Sequence, residues 1–213
     1  MKNIKLIIYD VNGTIFDDTA PFFQAINRIF IEFGKPKLPL DILKQKFSQP
    51  WYKIYRDHGI TEAIASEEAL YTLYNKFYIE ELSRSEMKPF VDLEPTLKWL
   101  QNRGVTLAII STQQNSITKP LLEKFSLIDY FSELVGGVSD KTKAIKDLVK
   151  KFGFDFDEAG YVGNQIDDID YAKKAGVMAI AFCGGIHELE RLANVNPDLL
   201  IHKHSDLKGL LFV

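Results

Sequence analysis

Cysteine is almost missing from this chain of 213 residues: Cys183 stands alone, so no internal disulfide can form and no oxidising compartment is needed to hold the fold. Surplus positive charge is missing too. The net charge of −3 argues against a nucleic-acid groove, which would need extra Lys and Arg to neutralise phosphates. There is no long apolar run. The stretch Ile4–Tyr9 is interrupted by Lys5 and ended by Asp10, too short for a signal-peptide core and far too short to span a bilayer. Internal repeats, low-complexity tracts and long linkers are absent as well. These absences lead to the expectation of a cytoplasmic protein that engages neither membrane nor nucleic acid. What is present is an ordinary globular balance, 46% hydrophobic and 26% charged, in a length that suits one large domain or a core with a smaller insertion.

Short apolar runs rich in Ile and Val read as buried strands: Leu6–Tyr9, Val105–Ile110, Leu134–Val135, Gly160–Val162, Val177–Phe182 and Leu199–Ile201. Amphipathic stretches separate the later ones. Leu93–Asn102 places Leu97 and Leu100 on one face, Lys141–Phe152 repeats apolar residues at Ile145, Leu148 and Val149, and Asp167–Ala175 runs into Gly176. Strand and helix in alternation predict an α/β fold, a Rossmann-like parallel sheet covered by helices on both faces. From Thr19 to Ser85 the rhythm breaks. Only helical segments are legible there, Ala20–Phe33, Leu40–Phe47, Trp51–His58 and Glu62–Ser83, which predicts an inserted α-helical domain. The expected division is a core of residues 1–16 and 86–213 around an insertion of residues 17–85.

Four places carry possible chemistry. Asp10-Val11-Asn12-Gly13-Thr14 follows the first strand, and the C-terminal ends of parallel strands line the functional crevice, where a carboxylate can act as nucleophile and metal ligand. Asn-Gly between apolar runs is also a hairpin signal. Ser111-Thr112 ends the second strand; its hydroxyls can donate to a phosphoryl oxygen or merely cap the next helix. Lys141 opens a helix and can neutralise phosphate and carboxylate together, or be one more solvated lysine like its neighbour Lys143. Gly163-Asn164-Gln165-Ile166-Asp167-Asp168 follows another strand. Its acids suit Mg²⁺, a hard cation that prefers oxygen, and they also suit the positive end of a helix dipole. His187, His202 and His204 have no metal-ligand spacing and receive no role.

An acidic strand end, a hydroxyl strand end, a lysine and a second acidic strand end, in that order, resemble the four motifs of the haloacid dehalogenase superfamily. The stretch Asp168-Ile169 with Ala172-Lys173-Lys174-Ala175-Gly176 resembles its fourth motif and the helix after it, and the inserted helices resemble the small cap of phosphoglycolate phosphatase-like and β-phosphoglucomutase-like members. The resemblance implies a phosphatase that hydrolyses a small phosphorylated metabolite through an aspartyl-phosphate on Asp10, as a monomer or homodimer. It implies phosphate binding by Ser111, Thr112 and Lys141, and Mg²⁺ held by Asp10, the Asn12 carbonyl, Asn164 and Asp168. It also implies a cap that closes over the active site, with the loop Ser48-Gln49-Pro50-Trp51-Tyr52, Arg56 and His58 as residues that could meet substrate.

Two departures stand out. Asn12 occupies the position of the usual general acid/base, and an amide cannot shuttle a proton. Asn164 occupies the position of a metal-ligating Asp, and an amide oxygen ligates without negative charge. Slow turnover and weak Mg²⁺ binding are therefore expected. Two alternatives remain open from sequence: a catalytically silent phosphate-binding homologue, and a 2-haloacid dehalogenase, whose Asp attacks carbon without metal. A receiver domain, which shares an Asp, a Ser/Thr and a Lys at strand ends, lacks so large an insertion after its first strand.

Overall fold

The structure, a computed structural model, describes residues 4–138 and 140–210. In chain order its elements are β1 (Leu6–Tyr9), α1 (Thr19–Glu32), α2 (Leu40–Lys46), α3 (Lys53–Asp57), α4 (Glu67–Arg84), α5 (Leu93–Gln101), β2 (Thr106–Ile110) and α6 (Asn115–Lys124). There follow β3 (Glu133–Val135), α7 (Lys141–Phe152), β4 (Ala159–Gly163), α8 (Ile166–Ala175), β5 (Met178–Phe182), α9 (Leu189–Ala193), β6 (Leu199–Ile201) and α10 (Leu207–Leu210). The chain forms two compact units, one of the described residues up to Asp17 and from Pro89 onward, the other of residues 18–88. No helix among the described residues is long and apolar enough to cross a membrane.

The first unit is built on a six-stranded parallel sheet in the order β3-β2-β1-β4-β5-β6. All four residues of β1 and all five of β4 and β5 are buried, which explains why they read as unbroken apolar runs rather than alternating ones. On one face, Leu6, Ile8, Ala108, Ile110 and Tyr161 pack against Ile145, Leu148 and Val149 of α7 and Ile169 and Ala172 of α8. The i, i+3, i+4 spacing of the α7 residues is what turns that face inward. Asp140 caps α7 through the Lys143 amide (3.3 Å), Lys150 and Lys151 sit in its last turn, and Gly153 ends it in the left-handed conformation. Chain order reverses at β1, so the ends of β1 and β4 flank the topological switch point, where ligands bind in open α/β sheets.

After β1 the chain does not form a hairpin. The amides of Thr14, Ile15 and Phe16 all donate to the Val11 carbonyl (3.2, 2.8 and 3.2 Å), and the Gly13 amide donates to the Phe16 carbonyl (2.9 Å). This tight turn needs Gly13 at φ +72°. Phe16 then bridges antiparallel to Pro89, and the Phe90 amide donates to the Ile15 carbonyl at 3.1 Å.

The second unit is helical throughout its described elements. Helix α1 lies against α4; Arg28 sits over the Phe77 ring (4.1 Å) and pairs with Glu80 and Glu81. The buried Asn27 amide clips Leu38 at both its N–H and its carbonyl (2.7 and 3.1 Å), fixing the turn between α1 and α2. The expected helix Glu62–Ser83 begins instead at Glu67, because Ser66 accepts from the Ala69 amide and stops the helix extending backwards. Trp51–His58 shrinks to α3. Trp51 packs on Tyr55, Tyr71 and Tyr74. Arg56 and His58, read from sequence as groups that might face an anion, have local partners: Arg56 donates to the Ile60 and Ala65 carbonyls and pairs with Glu62, and His58 bonds the Ile54 carbonyl. Helices α6, α9 and α10 of the core have no counterpart in the sequence reading; the start of α6 is masked by the polar run Gln113-Gln114-Asn115-Ser116, and α9 and α10 are too short to show a helical period.

Candidate functional site

Residues 10, 141 and 168 meet at one point. Lys141, the first residue of α7, places Nζ 2.8 Å from Asp10 Oδ1 and 2.7 Å from Asp168 Oδ1. Asp10 arrives there because its amide extends the sheet register, donating to the Val162 carbonyl at 2.9 Å. All three side chains are nearly sealed from solvent, at 4%, 5% and 1% exposure for Asp10, Lys141 and Asp168. At such burial the pairs are unscreened, and each charge depends on the others for its solvation. Burial works against the Lys141 ammonium, but Asp10 and Asp168 outweigh it and hold the group well above the ordinary lysine range. Burial pushes the Asp10 carboxyl up to about 7, Lys141 opposes that rise, and the charge of Asp168 adds to it. The site thus holds a charged lysine between two carboxyl groups kept out of water.

Asp168 is fully committed. Its Oδ1 takes Lys141 and, at 3.4 Å, the Tyr161 hydroxyl; its Oδ2 accepts the amides of Asn164 and Gln165 at 3.1 and 3.0 Å. One carboxylate thus starts α8 and also balances Lys141. Asp167, one residue earlier, is half-buried and also engaged. Ser111 is buried at the end of β2, beside β1, and its Oγ accepts the Gln113 amide at 3.1 Å. Thr112 is exposed next to it.

The two asparagines also meet. Asn164 Nδ2 donates to the Asn12 carbonyl at 3.1 Å, while Asn164 Oδ1 is buried with no hydrogen-bond partner. An orphaned buried acceptor is costly unless a donor or cation satisfies it. The Asn164 oxygen, the Asn12 carbonyl and the Asp10 carboxylate, which accepts a long contact from Thr14 Oγ1 (3.5 Å), are oxygen donors of the kind a hard cation such as Mg²⁺ takes. The set is poor in charge: Asp10 supplies its one carboxylate, and among the described residues no three His, Cys, Asp or Glu side chains gather as a metal cluster.

Two histidines matter that sequence reasoning left without a role. His187 is buried and its Nδ1 accepts the Ile166 amide at 3.0 Å, anchoring the first residue of α8 and with it the Asn164–Asp168 turn. His204 is buried, stacks on Phe182 (4.4 Å between ring centres) and bonds the Thr14 carbonyl through Nε2 at 2.9 Å, bracing the turn that follows Asp10. No spacing signal could have found either, since each acts through one contact with main chain remote in sequence.

A carbonyl partner requires Nε2 to carry the proton, and Nδ1 has no partner, so His204 is held neutral. Burial depresses its pKa from the ordinary 6.5 to about 4, with Asp92 pulling the other way. Because the unfolded chain takes up the proton first, His204 contributes stability that is present above pH 6.5 and lost as pH falls towards 4. A gap of that size corresponds to ~3 kcal/mol. Denaturant unfolding at a series of pH values between these limits is expected to show the decline, and His204→Gln, which keeps an N–H donor but does not titrate, is expected to flatten it. An unchanged slope in the variant would rule His204 out as the source.

Comparison with known proteins adds an independent line. Residues 7–182 match the family model for haloacid dehalogenase-like hydrolases. The phosphoglycolate phosphatase of Pseudomonas syringae pv. tomato is 29% identical, over 97% of this chain and 78% of that protein. Phosphoglycolate phosphatase 1 of Pseudomonas aeruginosa is 27% identical, over 95% of this chain and 78% of its own length. Among solved structures, a haloacid dehalogenase-like family hydrolase of Streptococcus pneumoniae shares the fold, with a TM-score of 0.86 at 20% identity over 99% of this chain and 100% of that one.

Proposed function

This chain belongs to the haloacid dehalogenase-like hydrolases, and from that premise we propose that it hydrolyses a small phosphomonoester through an aspartyl-phosphate on Asp10. The observation that carries this reading is the buried bridge of Lys141 between Asp10 and Asp168, because it holds a nucleophilic carboxylate out of water beside a fixed positive charge. An Asp10 carboxylate oxygen attacks phosphorus, and the ester P–O bond breaks as the alcohol departs and acquires a proton. Water then attacks the phosphorus of the acyl phosphate, releasing inorganic phosphate and restoring the carboxylate.

Lys141 neutralises the carboxylate pair and offers its charge to the entering phosphoryl oxygens. Ser111 and Thr112 supply hydroxyls for phosphate at the neighbouring strand end, and Asp168 holds Lys141 in place. Mg²⁺, when bound, would be held by Asp10, the Asn12 carbonyl and Asn164 Oδ1, with Asp168 outside the inner set, and would supply neutralising charge to the phosphate. The proton transfers have no agent at position 12, since Asn12 has no ionisable group. Low turnover follows from that. The helical residues 18–88 act as the cap that supplies specificity. A small phosphorylated acid of the kind named in the relatives, phosphoglycolate, is the first substrate class to try.

The test is phosphate release from a panel of small phosphomonoesters with and without Mg²⁺, together with transfer of labelled phosphate to the protein. The expected result is slow, Mg²⁺-stimulated release and a label that depends on Asp10. Halide release from 2-haloacids without Mg²⁺, or tight phosphate binding with no turnover of any ester, would overturn it.

A further inference from the structure

Resting on the reading of Asp10, Asn12 and Asn164 as the cation's oxygen set, we propose that the Asn164 amide is an internal structural substitute for the cation, fastening the β1 and β4 turns together when no metal is bound. A side-chain oxygen at 164 turned toward the Asn12 carbonyl would set acceptor against acceptor, which is unfavourable unless a cation lies between them. Asn164 provides the donor itself: Nδ2 reaches the Asn12 carbonyl at 3.1 Å across 152 residues of sequence.

The amide is also clamped. A Cβ at Gly13 would fall 1.7 Å from Nδ2 and one at Gly185 would fall 1.9 Å from it, so the amide lies against bare main chain on both sides. Asn164 is 1% exposed, which keeps water from competing for the bond. The other end of the same amide, Oδ1, is the buried acceptor without a partner. The group therefore has two settings about its last torsion. With nitrogen inward it latches the two turns and needs no metal. With oxygen inward it opposes the Asn12 carbonyl and is stable only with a cation between them. Binding of the cation must break the latch, and this lowers affinity beyond the loss of one negative charge.

Asn164→Asp removes the donor and leaves only oxygens. Melting of the parent chain is expected to be the same in excess EDTA and in millimolar MgCl₂. The variant is expected to melt lower than the parent in EDTA and to recover in MgCl₂, a gap on the order of 5 °C, or to fold only with Mg²⁺ present. Mn²⁺ titration followed by electron paramagnetic resonance is expected to show the variant binding at least about tenfold tighter than the parent, the change that ~1.4 kcal/mol produces. The latch is overturned if the variant melts with the parent in EDTA while binding Mn²⁺ tightly, a result that leaves the oxygen set intact. It is overturned together with the oxygen set if neither chain binds Mn²⁺ and both melt alike in EDTA. A parent whose melting rises with Mg²⁺ as steeply as the variant's also overturns it.

Discussion

Asn12→Asp is expected to raise phosphate release by about 10²–10⁴-fold, the usual worth of a positioned general acid and base. The change exchanges one amide for a carboxyl of the same size. The Asn12 main-chain carbonyl that meets Asn164 is untouched, as is the Val11-centred turn that carries it. What is added is a group able to give a proton to the departing ester oxygen and later to take one from the attacking water. The gain belongs to steps after substrate is bound, so it should appear in kcat with KM nearly constant. It should also bring a bell-shaped pH profile that the parent lacks. Steady-state phosphate release with the best ester of the panel decides the matter, and equal turnover by parent and variant would mean that position 12 takes no part in proton transfer.

Removing the lysine has the opposite sign. Lys141→Met keeps an unbranched stem but removes the ammonium, leaving Asp10 and Asp168 without their shared partner in a pocket from which water is almost excluded. Breaking a buried charge pair by deleting one partner costs about 3–5 kcal/mol, because the remaining charge has lost its solvation. Here two carboxylates share one lysine, so the upper end of that range is expected, together with loss of turnover.

The variant should also depend on pH in a definite direction. Without Lys141 the rise that burial and Asp168 impose on Asp10 is unopposed. A carboxyl raised above its unfolded value favours the folded state at low pH and costs stability as pH rises through its folded pKa. Asp10→Asn in the Lys141→Met background should then restore part of the stability but none of the activity, the coupling that a double-mutant cycle measures. Denaturant unfolding of the four chains in that cycle is the measurement, and additive effects would show that the bridge contributes nothing as a pair.

The strands were readable because β1, β4 and β5 are buried on both faces and must be apolar throughout. From the strands followed the parallel sheet, and from the parallel sheet the use of its carboxyl ends. Asp168 shows how far such reading goes. A helix-dipole role and a site role compete for it in the sequence, and in the structure it fills both, one oxygen on the α8 amides and the other on Lys141. The helical insertion was readable as helix but not in its boundaries, since a single capping serine at Ser66 moves the start of α4 by five residues from the expected Glu62. Least legible were contacts that depend on one torsion or one main-chain atom: the Asn164 amide on the Asn12 carbonyl, His187 on the Ile166 amide and His204 on the Thr14 carbonyl. No periodicity encodes them, because each joins points far apart in the chain without a pattern on either side.

The main-chain bridge of Phe16 with Pro89 means that the α/β unit closes upon itself where the helical residues depart and return. To the sheet, the excursion is a loop with its ends already pinned. The entropy of closing a flexible loop grows only logarithmically, by about 0.6 kcal/mol per doubling of length. A change in the length of residues 18–88 therefore costs the α/β unit little. On the proposed reading of these residues as the cap, selectivity for substrate can be altered there while Asp10, Lys141 and Asp168 stay where they are.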